Sequence, residues 1–104
     1  MSVLLILYKS ALGIDRIKQL FRERALKYRD VPGLVQKLYV HDPATGEVGG
    51  IYVFDSNEHR DAFRGSELEK SIRETYRFTE PPTIRSLDVV HALQQESVSP
   101  PDSR

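Results

Sequence analysis

Two hydrophobic patterns alternate along this chain of 104 residues. Short runs rich in β-branched and aromatic residues are typical of strands, and we predict four, at residues 3–8, 34–41, 48–54 and 83–93. Between the first two runs, apolar residues recur at spacings of three and four. This spacing predicts an amphipathic helix over about residues 13–29, whose buried side chains would be Ile14, Ile17, Leu20, Phe21, Ala25 and Tyr28.

Two shorter helices follow the third run. Asp55 and Ser56 are both good N-cap residues, and the first helix would run to about Arg64 and bury Ala62 and Phe63. A second capping pattern, Ser66 followed by Glu69, predicts another helix immediately afterwards. Its buried side chains would be Leu68, Ile72 and Tyr76.

This order of elements predicts a ferredoxin-like βαββαβ sandwich of the α+β class, with an antiparallel four-stranded sheet and its helices on one face. The domain would span residues 1–93, and residues 94–104, which contain few apolar side chains, would form a flexible tail. The first strand is apolar on both faces, so the face without helices needs a cover. We therefore predict a homodimer whose sheets meet face to face.

The register of the central hairpin depends on Gly49-Gly50, at the start of the third strand. A glycine pair there predicts either a β-bulge or a close approach to the backbone. A shift of one residue in the pairing of the two strands would move the side chains of one strand to the opposite face of the sheet. The sequence therefore leaves open whether Tyr39 and His41 share the sheet face of Tyr52.

Composition narrows the possible functions. Formal net charge is zero, with eight Lys/Arg against three Asp/Glu in residues 1–40 and seven against twelve in residues 41–104. This balance argues against nucleic-acid binding, and no apolar run is long enough to cross a membrane. The absence of cysteine excludes thiolate chemistry and fits a cytoplasmic protein. The histidines lie on different predicted elements, so no metal site is expected.

A combination of short motifs resembles a family of small bacterial monooxygenases in the dimeric α/β-barrel superfamily. The motifs are Pro32-Gly33, a strand containing Lys37, and the segment Glu47-Val-Gly-Gly-Ile-Tyr-Val-Phe54 leading into a helix. The resemblance implies a dimer with a pocket between sheet and helices and chemistry without a protein-bound cofactor. The first strand lacks Asn and the chain lacks Trp, which departs from the haem-degrading branch of that superfamily.

Candidate site residues follow from these patterns. Tyr52 and Phe54 share a strand face, where they form either core or an aromatic pocket wall. His59, in the first turn of a helix, is the best candidate for a general base, although a surface position is the simpler interpretation. Arg85 lies on a face with apolar neighbours and would bind a substrate anion or, as we slightly favour, form a salt bridge across the dimer. Tyr39 and Phe63 complete the predicted substrate contacts.

Three functions remain open at this point. The first is a cofactor-independent monooxygenase that acts on a small aromatic or polyketide-like substrate, with His59 and Tyr52 as catalytic groups. The second is a non-catalytic ligand-binding or stress-response barrel protein that uses the same pocket. The third is a pure dimerisation module with no cavity. The basic residues of the first helix are interpreted as a solvated face; they are Arg16, Lys18, Arg22, Arg24, Lys27 and Arg29.

Overall fold

Four antiparallel strands form one sheet in the computed structural model, which describes residues 1–93. The order across the sheet is β2-β3-β1-β4. The elements are β1 (Ser2–Tyr8), α1 (Ile14–Arg24), a 3-10 helix (Ala25–Tyr28), β2 (Leu34–His41), β3 (Val48–Phe54), α2 (Asn57–Arg64), α3 (Glu67–Thr75) and β4 (Thr83–Asp88). The predicted ferredoxin-like α+β fold is confirmed.

The central strand β1 is apolar on both faces because it is paired on both edges and contributes to both surfaces of the sheet. Leu4, Ile6 and Tyr8 are buried beneath the helices. The alternate side chains point to the face without helices and are only partly buried. They are Val3, Leu5 and Leu7.

The first helix follows its predicted periodicity and then tightens into a 3-10 turn. Ile17, Leu20 and Tyr28 are buried as predicted, but Ala25 is exposed and Arg24 is buried in its place. The interpretation of Arg24 as part of a solvated face is therefore wrong. No helix within residues 1–93 is long and apolar enough to span a membrane.

Side-chain caps fix the starts of α2 and α3. Of the two predicted caps for α2, Ser56 is the one used, and its Oγ accepts a hydrogen bond from the His59 backbone N–H at 3.1 Å. Ser66 caps α3 by accepting from the Glu69 N–H at 3.2 Å, as its capping pattern predicts. These caps satisfy backbone donors that a helix leaves unpaired in its first turn.

One arginine ties α2 to the end of the sheet. Arg60 donates from its guanidinium to the Ser2 Oγ at 2.6 Å, and Ser2 is fully buried. The same group lies 3.5 Å from an Asp88 carboxylate oxygen. Because Ser2 and Asp88 are partners in the β1–β4 register, this contact anchors α2 over both strands.

The predicted bulge at Gly49-Gly50 is wrong, since pairing is continuous there on both sides of β3. The irregularity lies instead on β2, between Leu34 and Gln36. The alternative prediction, a close approach, is what the structure contains. A Cβ atom on Gly49 would overlap the Ile6 carbonyl oxygen, and one on Gly50 would lie 3.1 Å from the Tyr52 ring and 3.2 Å from the Lys37 Cε.

The last strand is shorter than predicted. Asp88 is paired with Ser2, the first residue of β1, so only Met1 precedes the strand that β4 pairs with. One further hydrogen bond, from the Val89 N–H to the Met1 carbonyl, ends the contact between the two chain segments. His91 consequently lies outside the strand. The predicted tail at residues 94–104 lies outside the described residues.

We predict that Gly49→Ala lowers the free energy of unfolding by about 3 kcal/mol, because the β1 backbone must shift to admit the methyl group. Urea unfolding at fixed protein concentration measures the change. Gly65→Ala is the control, since a Cβ there meets no atom within 4 Å. Equal stability of the two variants would contradict the assigned approach of β1 to β3.

Candidate functional site

All five tyrosines of the chain converge between the sheet and the helices. We call this group the tyrosine cluster; its members are Tyr8, Tyr28, Tyr39, Tyr52 and Tyr76. Ring-to-ring contacts connect it, including 5.5 Å between the Tyr8 and Tyr76 centroids and 6.1 Å between those of Tyr28 and Tyr52. Phe21 joins Tyr39 to Tyr76 at 4.4 and 5.5 Å. Elements distant in sequence thus bring their phenols to one interior region.

Lys37 projects from β2 into this cluster. Its Nζ lies 3.3 Å from the Tyr28 ring centroid, 4.4 Å from that of Tyr39 and 4.7 Å from that of Tyr52. Such contacts stabilise the ammonium through the ring quadrupoles. Burial opposes them and lowers the pKa of Lys37 to about 7, with repulsion from the Arg24 charge as the second cause.

Arg24 supplies a second positive charge to the same interior. Its side chain is nine-tenths buried and donates to the Ser71 Oγ at 2.7 Å, while its Nε is buried without a hydrogen-bond partner. Neither Arg24 nor Lys37 takes part in an ion pair within the described residues. The interior therefore holds two cationic side chains with no paired carboxylate.

The phenols around these cations remain protonated. Burial is the first cause of a raised pKa in each member of the tyrosine cluster. Protonated phenols can donate hydrogen bonds to a bound anion or carbonyl oxygen. The cluster thus combines donors with positive charge.

Lys37 and Arg24 were missed by sequence reasoning, although each carried a signal. Lys37 lies two residues before Tyr39 on a strand, so it must share that tyrosine's face. Arg24 follows Leu20 by four residues and precedes Tyr28 by four, which places it on the buried side of the helix. For Arg24, the run of basic residues on the same helix favoured a solvated face instead.

A separate apolar pocket lies beside α2, with a cavity volume of about 280 Å³. We call it the His59 pocket; it is lined by Val31, Pro32, His59, Ala62, Phe63, Ser66 and Leu68. His59 is the only titratable residue in that lining. The described residues contain no cluster of three or more metal-ligating side chains that would place a metal here.

His59 is held at the pocket by a carboxylate. Its Nδ1 lies 2.6 Å from the Asp55 Oδ1, and this hydrogen bond is the main cause of the lowered pKa of Asp55. Gly33 makes the arrangement possible, because it has φ +74° and a Cβ there would overlap the imidazole. The Asp55 backbone N–H also donates to the Gly33 carbonyl at 2.9 Å.

The structure brings together only some of the residues predicted for one site. His59 and Phe63 line the same pocket. Tyr52 and Phe54 lie behind Phe63, with centroids 5.1 and 5.8 Å from its ring, and both are buried. Tyr39 lies in the tyrosine cluster, on the sheet face of Tyr52, which settles the register that the sequence left open.

Arg85 lies elsewhere. It pairs in register with Leu5 of β1 and therefore occupies the face without helices, opposite to Tyr52. Within one subunit, Arg85 therefore cannot contact a substrate bound between sheet and helices, and that prediction is wrong. Its pairing with an acidic residue of a second subunit stays a prediction.

The comparisons with known proteins agree with this fold. A family model described as "Putative mono-oxygenase ydhR" matches residues 6–82, well over half of the chain. The chain belongs to this family. No curated protein matches it.

Several solved structures share the fold of this chain. A monooxygenase from the gene ActVA-Orf6 of Streptomyces coelicolor, in complex with nanaomycin D, is 14% identical with a TM-score of 0.70, over 91% of this chain and 92% of that one. An antibiotic biosynthesis monooxygenase of Deinococcus radiodurans, so named as putative, is 16% identical with a TM-score of 0.68, over 93% and 100%. The haem degrader MhuD of Mycobacterium tuberculosis is 14% identical with a TM-score of 0.67, over 90% and 100%. At such low sequence identity, these similarities show a shared fold and nothing further.

We predict that Lys37 makes stability depend on pH. Between pH 10 and 7 the unfolded chain binds a proton at Lys37 that the folded chain does not, so stability falls as pH falls. Relative to Lys37→Met, the wild type should lose about 3 kcal/mol of unfolding free energy between pH 9.5 and 6.5. Denaturant unfolding at both values measures this.

Lys18→Met is the matched control, because Lys18 is exposed on α1. Its unfolding free energy should run parallel to that of the wild type over the same interval. If the unfolding free energies of the wild type and of Lys37→Met changed equally over this pH interval, the lowered pKa of Lys37 would be contradicted.

Proposed function

We propose that this protein is a cofactor-independent monooxygenase that acts on a small aromatic or polyketide-like substrate bound in the His59 pocket. The observation that carries the proposal is the carboxylate-held histidine on an otherwise apolar cavity of about 280 Å³. Membership of the monooxygenase family and the nanaomycin D complex of the Streptomyces coelicolor protein support the reaction and ligand classes.

His59 would act as the general base. Asp55 accepts a hydrogen bond from the His59 Nδ1–H, which fixes the tautomer and leaves Nε2 as the basic atom. The lowered pKa of Asp55 keeps its carboxylate ionised and able to stabilise the imidazolium that forms. A proton taken from an acidic methylene or phenol of the substrate leaves an electron-rich anion.

The anion reacts with dioxygen itself. For an anthrone-like substrate, the methylene carbon loses two hydrogens and becomes a carbonyl, one atom of dioxygen enters that carbonyl, and the other leaves as water. The substrate gives up four electrons and dioxygen takes four, so the balance needs no external reductant. The apolar lining excludes water from the anion and favours its reaction with oxygen.

The remaining predicted residues have supporting roles in this proposal. Phe63 forms a pocket wall, and the buried rings of Tyr52 and Phe54 hold that wall from behind. Tyr52 is 2% exposed, so we propose that it positions Phe63 instead of contacting substrate at the pocket. Tyr39 would contact only a substrate that extends into the tyrosine cluster.

A non-catalytic ligand-binding protein is the second candidate. One observation favours it. Lys37 and the tyrosine cluster occupy the region between sheet and helices, where the substrate of a catalytic barrel was expected to bind. Saturable binding of aromatic compounds in the His59 pocket without oxygen uptake would support this function.

We predict that oxygen consumption with a panel of anthrones and hydroquinones exceeds the buffer rate, and that His59→Gln lowers it by about 100-fold. Asp55→Asn should lower the rate constant less severely than His59→Gln, because the histidine itself remains and only its orienting charge is lost. An oxygen electrode measures both. His41→Gln is the control, since that histidine is exposed at the opposite end of the hairpin.

An unchanged rate in His59→Gln would remove the proposed base. The absence of uptake in the wild type, with binding of the same compounds, would favour the non-catalytic function.

We also propose a homodimer formed by the face of the sheet without helices. Besides the three partly buried side chains of β1, this face carries Leu38 and Leu87, each 45% exposed in the single chain. Contiguous exposed apolar surface of this kind is typical of protein interfaces. Two subunits meeting through it would form the barrel that the family resemblance implies.

We predict that light scattering gives twice the 11.9 kDa of one chain at micromolar concentration, and that Leu5→Asp gives a single chain. The carboxylate would be buried without a partner in the proposed interface. Leu26→Asp is the control, because Leu26 is 67% exposed and lies on the helical side. A monomeric wild type would contradict the proposal, and the circular dichroism spectrum of Leu5→Asp distinguishes dissociation from unfolding.

A further inference from the structure

We infer that Lys37 is a reactive amine that condenses with small aldehydes or ketones to form an imine. The inference concerns the tyrosine cluster and does not depend on the proposed oxygenase activity, since Lys37 is not part of the lining of the His59 pocket.

The position of Lys37 places its amine among aromatic rings. Its stem passes over Gly50, whose missing side chain leaves the room that the stem occupies. The groups that face the amine are the phenols of Tyr28, Tyr39 and Tyr52 and the guanidinium of Arg24. Tyr39 belongs to β2 itself, and the others come from the 3-10 helix, β3 and α1. No carboxylate is paired with Lys37 within residues 1–93.

This environment favours the neutral amine. Desolvation and a neighbouring cation both disfavour the ammonium, and together they lower the pKa of Lys37 to about 7. An amine activated in this way, in an apolar site or beside another cation, is the arrangement that enzymes use for Schiff-base formation. An exposed lysine, with its usual pKa near 10.4, is almost fully protonated at neutral pH.

The reaction needs no oxidant or reductant. The neutral Lys37 nitrogen attacks the carbonyl carbon, both of its protons pass to the carbonyl oxygen, which leaves as water, and a carbon–nitrogen double bond remains. Tyr39 is only partly buried and its raised pKa keeps its phenol protonated. It can relay these protons by giving one to the departing oxygen and regaining one from the nitrogen. Lys37 is only partly buried and lies on the edge strand β2, so a carbonyl compound of a few carbon atoms would approach its amine from that edge of the sheet.

Reductive trapping tests the inference on the intact, folded chain. Propionaldehyde at limiting concentration with cyanoborohydride, at pH 7.5, converts each imine into a stable N-propyl lysine that peptide mass mapping locates. We expect Lys37 to be modified at least tenfold faster than Lys18 and Lys27, both of which are exposed.

The pH profile gives a second readout. The rate at Lys37 should level off above about pH 7, whereas the rate of an exposed lysine with the usual pKa near 10.4 continues to rise with pH up to about pH 9.5. Lys37→Arg keeps the positive charge and should lose the fast modification, while the control Lys27→Arg should retain it.

Two results would overturn the inference. One is a rate at Lys37 no greater than that at Lys27 at pH 7.5. The other is a rate at Lys37 that still rises tenfold per unit between pH 8 and 9. Both are measured on the wild type, so neither depends on the folding of a variant.

Discussion

The close packing around Gly49-Gly50 is the constraint on which the rest of this structure depends. Gly49 lets the backbone of β1 approach β3, and Gly50 leaves space for the Lys37 stem and the Tyr52 ring. A side chain at either position would separate two strands or displace the interior lysine. The glycine pair therefore sets the spacing of the sheet and the contents of the space beneath the helices.

Two chemically different regions result from this packing. Beneath the helices, phenols surround two basic side chains that have no carboxylate partner within residues 1–93. Burial shifts each pKa towards the neutral form of the tyrosines and of Lys37. At the end of the sheet, a carboxylate holds His59 over an apolar pocket. Phe63 lies between the two regions and contacts Tyr28 and Tyr52, so a change in one region can reach the other through its ring.

Much of the fold was predictable because local periodicity and capping act within a few residues. The bounds of β2 and β3 and the caps at Ser56 and Ser66 follow directly from such patterns. The length of β4 did not, since it depends on where its partner β1 begins. Among the candidate site residues, His59 was predicted from its place in the first helical turn, whereas no role was predicted for Lys37, since a strand pattern does not show that a charged side chain is buried.

The sequence by itself determined the order of the elements, the ferredoxin-like architecture and the resemblance to a monooxygenase family, because these depend on patterns along one chain. Only the tertiary structure decided which polar side chains are buried together. Arg24, Lys37 and Tyr52 come from three separate elements, and their desolvation exists only after those elements pack. The tertiary structure also placed Arg85 on the opposite face from Tyr52, because the pairing of β1 with both neighbours fixes the faces of β3 and β4 together.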